Sequence, residues 1–223
     1  MSANPGIEAV IWDFGGVFTS SPFEAFNRLE AEKGLPKDLI RRVNATNPDA
    51  NAWALFERNE IDPAGFDRLF LEESTALGHP LRGAEVLPKL SGELRPRMVE
   101  ALKTCKAHFK AGCITNNVVS MHSPGQDEGQ RAAGAMSVVM PLFDAIIESS
   151  KAGVRKPDPR IYQMMCELLA VAPANCVYLD DLGINCKPAA ALGMTAIKVV
   201  DVDQTLADLA RATGLSFGVE PVA

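Results

Sequence analysis

Five short apolar segments, separated by amphipathic ones, constrain the fold of this sequence more than any other feature. Apolar and polar residues do not alternate within them, and this pattern is typical of strands that are buried on both faces. The apolar segments cover residues 9–13, 111–115, 145–148, 177–180 and 195–200, and the amphipathic ones cover 97–110, 159–170, 187–192 and 204–213. Strands that alternate with helices predict an α/β fold built on a parallel sheet.

Residues 18–95 do not follow this alternation. They contain four helical pieces, at residues 22–33, 36–44, 51–58 and 63–77, separated by proline, glycine and asparagine. Because the stretch is too long for a simple crossover connection, we predict an inserted helical module. The chain then divides into a core of residues 1–17 and 96–223 and an insert of residues 18–95. Residues 120–136 are polar and glycine-rich, which predicts a loop with a short helix.

Charge, hydropathy and cysteine content exclude several classes of protein. The formal net charge is −6 and the isoelectric point is about 5.2, which argues against a nucleic-acid or anionic-membrane surface. The sequence has no apolar run of membrane-spanning length and no signal peptide at its N-terminus. Its five cysteines form no C-x-x-C pair, which favours free thiols in a reducing compartment. We therefore expect a cytoplasmic protein without nucleic-acid or membrane partners; the sequence carries no signal for its oligomeric state.

Acidic residues end two of the predicted strands. Asp13 ends the first strand directly before a glycine turn, and Asp180 and Asp181 end the fourth. Asp13 alone is also typical of a turn or a helix cap. Adjacent like charges, however, are unfavourable unless a cation or hydrogen-bond donors offset them. Because oxygen ligands without clustered cysteine or histidine favour Mg²⁺ over zinc, the Asp180–Asp181 pair predicts a magnesium site.

Three more polar residues are predicted near the same edge of the sheet. Thr115 and Asn116 end and follow the second strand, and Lys156 lies in a proline-rich loop before a helix. Each alone is also typical of a polar turn or a solvated side chain. Ligands of parallel sheets bind at the carboxyl ends of the strands. Together with the carboxylates, these residues form the set that phosphoryl transfer needs: a nucleophilic oxygen, cations and hydrogen-bond donors.

The segments FDAIIESSKAGVRKPDPRIY and VYLDDLGINCKPAAALGMTAIKV carry a specific resemblance. Over nearly its whole length the chain resembles hydrolases of the haloacid dehalogenase (HAD) superfamily, subfamily I. Within that superfamily it is most similar to the N-terminal phosphatase domain of soluble epoxide hydrolase. The resemblance implies a three-layer, Rossmann-like core with a parallel sheet and a helical cap inserted after the first strand. Residues 18–95 fit the position of that cap.

The resemblance also implies a metal site and its residues. Asp13 is implied as the nucleophile and as a ligand of Mg²⁺, together with the backbone carbonyl of Gly15 and the side chain of Asp181. Asp180 and Asn185 are implied as residues that support this site.

A phosphate site is implied in the same way. Thr115 and Asn116 are implied to bind the phosphoryl group, and Lys156 to contact both that group and the nucleophile. The activity that follows from the resemblance is Mg²⁺-dependent hydrolysis of a small phosphorylated metabolite through an aspartyl-phosphate intermediate.

One position departs from the family pattern D-x-D-x-[TV]: Gly15 stands where the second aspartate is expected. Glycine retains the backbone carbonyl that binds Mg²⁺. It lacks the side chain that protonates the leaving group and later activates water. General acid–base catalysis contributes about 10²–10⁴-fold, so another group supplies it here or it is absent.

The sequence therefore leaves three functions open. The first, which we favour, is a phosphatase that manages without the second aspartate. The second is dehalogenase or phosphonatase chemistry, in which that aspartate is also missing, although the Asp180–Asp181 pair suits a metal that dehalogenases do not need. The third is a non-catalytic protein that binds a phosphorylated ligand. The cap sets specificity in this architecture, and its sequence does not identify the substrate.

Overall fold

The central sheet contains five parallel strands in the order β3-β2-β1-β4-β5. The computed structural model describes residues 6–90, 92–116 and 136–218. Within them the strands are β1 (Ala9–Trp12), β2 (Lys110–Thr115), β3 (Ala145–Glu148), β4 (Cys176–Asp180) and β5 (Thr195–Lys198). Every predicted strand is present, and the largest difference is at the end of β5, which ends at residue 198 rather than 200. The predicted α/β fold with a parallel sheet is confirmed.

Helices lie between the strands and in the inserted segment. They are α1 (Pro22–Glu32), α2 (Leu39–Ala45), α3 (Ala52–Glu57), α4 (Pro63–Ala76), α5 (Gly83–Val86), α6 (Pro96–Lys106), α7 (Ser149–Ala152), α8 (Pro159–Leu169), α9 (Gly183–Ala191) and α10 (Val202–Thr213). The helix predicted over residues 97–110 ends at Lys106, because Lys110 already begins β2. The helix predicted over 187–192 begins earlier, at Gly183, because buried hydrogen bonds from Asn185 to Asp180 override the weak helix propensity of glycine and asparagine.

The two faces of the sheet pack against different helices, which gives three layers. Successive residues of a strand point to opposite faces, so β1 contributes to both sides. Val10 and Trp12 lie in a cluster with residues of α6 and α10. Ala9 and Ile11 lie in a second cluster with residues of α8. All four side chains are fully buried, as the lack of alternation in the sequence predicts.

The segment between β1 and α6 has a hydrophobic cluster of its own. Phe26, Phe56 and Phe66 lie in it, from α1, α3 and α4. At the base of the segment its two ends run side by side, with the Arg95 N–H donating to the Phe18 carbonyl at 2.7 Å. These contacts support our prediction of a cap over residues 18–95, and its boundaries stay a prediction.

Two remaining predictions concern loops and membranes. The loop predicted over residues 120–136 lies, except for Met136, outside the described residues. In the described part of the chain, no helix has the length and apolar character needed to cross a bilayer.

Candidate active site

Polar side chains from three neighbouring strands converge at the carboxyl edge of the sheet. Asp13 follows β1, and Asp180 and Asp181 lie at the end of β4, which pairs with β1. Their carboxylate oxygens lie within 4.8 Å of one another. Asp13 and Asp180 are buried, and Asp181 is half-buried. The topology thus brings together three acids that are up to 168 positions apart (181 − 13) in the sequence.

Lys156 is the cation of this cluster. Its side chain is buried, and its Nζ lies 2.6 Å from Asp13 Oδ1 and 2.8 Å from Asp180 Oδ2. Burial by itself would lower the pKa of Lys156, but the two carboxylates outweigh it and raise that pKa above its ordinary value. The lysine is therefore a permanent positive charge directly beside Asp13.

The cluster carries more negative than positive charge. Burial raises the pKa of Asp13 to about 8, although Lys156 opposes this shift and Asp180 and Asp181 add to it. Burial, followed by repulsion from Asp180, also raises the pKa of Asp181 to about 6. Both shifts have the same main cause, burial, and repulsion between the carboxylates adds to it. A divalent cation bound here would offset the excess.

Asp180 is the acid whose oxygens are already occupied. Its Oδ1 accepts hydrogen bonds from Leu182 N at 2.8 Å and Asn185 Nδ2 at 3.0 Å. Its Oδ2 accepts from Lys156 Nζ at 2.8 Å and Tyr178 Oη at 2.5 Å. With its lone pairs used in this way, Asp180 orients the lysine, and Asp13 and Asp181 are left as the carboxylates that face a cation.

The turn after Asp13 is made by two glycines with different surroundings. Gly16 has φ +74°, and a Cβ on it would lie 2.2 Å from an oxygen of Asp181, so only glycine fits there. A Cβ on Gly15 would meet nothing within 4 Å. Packing therefore does not require glycine at position 15, because the position has space for a side chain.

The predicted phosphate-binding residues end and follow β2, the strand that pairs with β1. Thr115 is buried at the end of β2, and its hydroxyl makes no hydrogen bond to any described residue. The Asn116 side chain is fully engaged by the protein. Its Oδ1 accepts from Lys156 N at 2.9 Å, and its Nδ2 donates to the Lys156 carbonyl at 3.1 Å and to Glu57 Oε2 at 3.2 Å. Asn116 thus fixes the loop that carries the lysine.

Sequence reasoning missed three residues of this region. Glu57, the last residue of α3, is buried and contacts both Asn116 and Arg155. Tyr178 lies on β4 and donates to Asp180. The sequence has a signal for Arg155, which precedes Lys156, but none for Glu57, because nothing in a single sequence pairs a helix end with a residue 98 positions away (155 − 57). Ser21, the residue before α1, donates to Asp181 Oδ2 at 3.3 Å.

Comparison with known proteins identifies the family. Residues 7–193 match the haloacid dehalogenase-like hydrolases. The chain is 38% identical to bifunctional epoxide hydrolase 2 of Sus scrofa over 228 residues, which cover 95% of this chain and 40% of that protein. It is 29% identical to a sesquiterpene phosphatase of Aspergillus oryzae over 213 residues, which cover 93% of this chain and 97% of that protein. A solved HAD enzyme of Bacteroides thetaiotaomicron, in complex with magnesium and inorganic phosphate, has a TM-score of 0.57 at 17% identity and covers 86% of this chain and 93% of its own.

The chain belongs to the haloacid dehalogenase-like hydrolase family. Within that family it is homologous to the N-terminal part of bifunctional epoxide hydrolase 2, and the resemblance predicted from the sequence is confirmed. The chain spans 40% of the length of that relative, so the activities of the whole relative do not transfer to it directly. It is a hydrolase.

Proposed function

We propose that the protein is a Mg²⁺-dependent phosphatase that hydrolyses a small phosphorylated metabolite through an aspartyl-phosphate intermediate. The observation that carries this proposal is the position of Lys156, which lies 2.6 Å from Asp13 and 2.8 Å from Asp180, two of the three clustered carboxylates. A nucleophilic carboxylate beside a fixed cation is what attack on a phosphoryl group needs, because the reaction places negative charge on the phosphoryl oxygens. The similarity to a sesquiterpene phosphatase over 93% of this chain supports the same reaction.

The residues present fit a magnesium ion. Asp13 and Asp181 offer carboxylate oxygens, and the family resemblance adds the backbone carbonyl of Gly15, so the donor set is all oxygen, as Mg²⁺ prefers. Burial and repulsion between the carboxylates raise the pKa values of both aspartates, and a cation at this position would oppose both effects. A bound Mg²⁺ would offset charge on the phosphoryl oxygens and keep both carboxylates ionised.

In the first half of the reaction, an oxygen of Asp13 attacks phosphorus. A phosphorus–oxygen bond forms to Asp13 as the bond to the leaving oxygen breaks, and the leaving oxygen takes both electrons of that bond. The Lys156 ammonium group attracts the negative charge on the non-bridging oxygens, and the Thr115 hydroxyl donates a hydrogen bond to them. Asp180 and Asn185 keep the lysine in place.

In the second half, water attacks phosphorus, the bond to Asp13 breaks, and inorganic phosphate leaves. Gly15 has no side chain to protonate the leaving oxygen or to activate that water. We propose that solvent supplies the proton, so that turnover is highest for substrates whose leaving group is stable as an anion. The loss of general acid–base catalysis costs about 10²–10⁴-fold for other substrates.

Dehalogenase, phosphonatase and non-catalytic functions are less well supported. Halide displacement needs no metal, whereas the negative charges of Asp13 and Asp181 are not offset without a bound cation. The phosphonatase reaction needs a cap lysine, and of the three lysines in residues 18–95, Lys33 pairs with Glu85 at the surface, Lys37 is exposed and Lys89 is half-buried, so none is fully buried. A binding protein would not need the close Asp13–Lys156 contact.

We also propose a cytoplasmic location, supported by five free cysteines.

The direct test measures phosphate release from a panel of alkyl, aryl and acyl phosphate monoesters, with Mg²⁺ and with chelator. We expect release that depends on Mg²⁺ and falls by roughly 10³-fold or more in Asp13→Asn, because that variant lacks the nucleophile. The variant also loses one of three crowded carboxylates, so we expect its melting temperature in chelator to match or exceed that of the wild type. Asp203→Asn, at an exposed carboxylate that pairs with Arg97, is the control.

Appreciable release by Asp13→Asn would contradict the covalent mechanism. No release from any monoester, together with halide release from 2-haloacids, would replace the proposal with dehalogenation.

A further inference from the structure

One of the contacts between the inserted cap segment and the core is made by a buried carboxylate, that of Glu57. Glu57 ends α3, its side chain is 10% exposed, and its backbone carbonyl accepts a hydrogen bond from the Ser149 hydroxyl of the core at 2.7 Å. Few charged side chains are buried without a partner, because removing a carboxylate from water costs several kcal/mol. The partners of Glu57 therefore indicate what it does.

Three donors converge on a single oxygen of this carboxylate. Arg155 Nε and Nη2 each lie 2.6 Å from Glu57 Oε2, and Asn116 Nδ2 lies 3.2 Å from it. The other oxygen, Oε1, accepts from Trp53 Nε1 at 3.0 Å. Both core partners adjoin catalytic residues in the sequence: Asn116 follows Thr115, and Arg155 precedes Lys156.

Asn116 connects Glu57 to the backbone of the catalytic lysine through hydrogen bonds. Its amide group makes two hydrogen bonds to the backbone of Lys156, at 2.9 and 3.1 Å, and uses its remaining donor on Glu57. An asparagine whose amide donates to a fixed carboxylate cannot rotate without breaking these bonds. The two loops that flank the phosphate site are thus joined to each other and to the cap through Glu57.

We propose that Glu57 is a positioning residue through which the cap fixes the phosphate-binding loops, so that high affinity for a phosphoryl group requires a docked cap. The proposal rests on the phosphatase function proposed above. Glu57 acts through Asn116 and Arg155 and does not itself contact the reacting atoms.

An electrostatic role and a positioning role of Glu57 predict opposite changes in phosphate affinity for Glu57→Gln. The substitution removes a negative charge near an anion site and leaves the Arg155 cation without its counter-ion, so electrostatics alone predicts tighter phosphate binding. Positioning predicts weaker binding, because glutamine does not accept from both Arg155 and Asn116 with a charged oxygen. Glu57→Asp keeps the charge and shortens the side chain, so only positioning predicts a loss there.

The experiment measures the dissociation constant of inorganic phosphate in Mg²⁺ by calorimetry on the full chain, together with kcat and KM on the best monoester. We expect phosphate binding to weaken by about tenfold in both Glu57→Gln and Glu57→Asp, within the range of known couplings between a site and a remote residue. Glu60→Gln is the matched control, because Glu60 lies three residues further on and its side chain pairs with Arg58 at the surface. We expect its phosphate affinity to equal that of the wild type.

Unchanged or tighter phosphate binding in folded Glu57→Gln would overturn the proposal, even if its melting temperature fell. Should the Glu57 variants fail to fold, Arg155→Lys keeps the charge but loses the two-nitrogen contact; weaker phosphate binding is expected, and wild-type affinity would overturn the proposal. A wild-type chain that neither binds phosphate nor hydrolyses monoesters would refute the phosphatase function, and this inference with it. A wild type that does both, with Glu57 variants that match it, would refute this inference alone.

Discussion

At the scale of single residues, Gly15 and Gly16 show how differently two adjacent glycines constrain a site. Gly16 is required by the backbone and by the neighbouring Asp181 carboxylate, whereas Gly15 faces open space. Packing therefore does not explain why position 15 lacks an acid. Substituting Gly15 tests directly how the missing acid affects the reaction.

We predict that Gly15→Asp raises turnover of alkyl phosphates, which have poor leaving groups, by up to about 10²-fold and that of acyl phosphates far less. The reason is that only a poor leaving group needs a proton as it departs. The measurement compares kcat on both substrate classes with kcat of Gly15→Asn, which has the same size and no acid. An equal gain on both classes would show that another residue already supplies the proton.

At the scale of secondary-structure elements, Asp144 ties the edge strand β3 to its neighbours. Its Oδ2 accepts from Ala111 N of β2 at 2.8 Å, and its Oδ1 accepts from Lys106 Nζ of α6 at 3.0 Å. The bond from the Ala111 N–H, followed by the contacts with Lys106, holds the pKa of Asp144 below its ordinary value despite some burial. A lowered pKa in the folded state means that the ionised carboxylate stabilises the fold.

We predict that Asp144→Asn lowers the free energy of unfolding at pH 7 by about 0.5–1 kcal/mol, a modest value because solvent screens a partly exposed group. The carboxylate contributes fully above its unfolded pKa of about 4, and this contribution is lost as the pH falls through the lower folded pKa. Urea unfolding of both proteins between pH 7 and pH 3 measures this, with Asp203→Asn as control. A difference that grows as the pH falls would contradict the assignment.

At the scale of the whole molecule, the carboxylate cluster links stability to metal and pH. Asp13 and Asp181 have pKa values raised to about 8 and about 6 without a cation, so ionising them destabilises the folded state. The chain without metal should lose stability as the pH rises from about 4 to 8, because the folded state binds more protons than the unfolded chain over that range. Metal binding requires the ionised forms and releases those protons.

We predict that Mg²⁺ raises the melting temperature, and more so at pH 8 than at pH 6. At about 100 times its dissociation constant, Mg²⁺ stabilises the folded state by about 2.7 kcal/mol. Thermal melts with Mg²⁺ and with chelator at both pH values measure the effect, and Asp181→Asn should reduce it strongly. A shift that is equal at both pH values, or that persists in Asp181→Asn, would place the metal elsewhere.

The sequence by itself determined that the fold is α/β with a parallel sheet, where its strands lie along the chain and which of them end in polar residues. Apolar runs buried on both faces define strands locally, and a polar residue at a strand end lies at the carboxyl edge wherever that strand sits. This is why Asp13, Thr115 and Asp180 could be brought to one edge before any coordinates were known, and why the bounds of β3 were predicted without error.

Only the tertiary structure decided which donors and acceptors meet. Asp180 accepts hydrogen bonds from Tyr178, Lys156 and Asn185, and Glu57 of the inserted segment accepts one from Asn116. Most of these contacts join side chains that are far apart in the sequence. Local pattern specifies which residues face inward or lie at an edge. Hydrogen bonds and ion pairs form only within about 3 Å, so the three-dimensional packing of cap on core selects them.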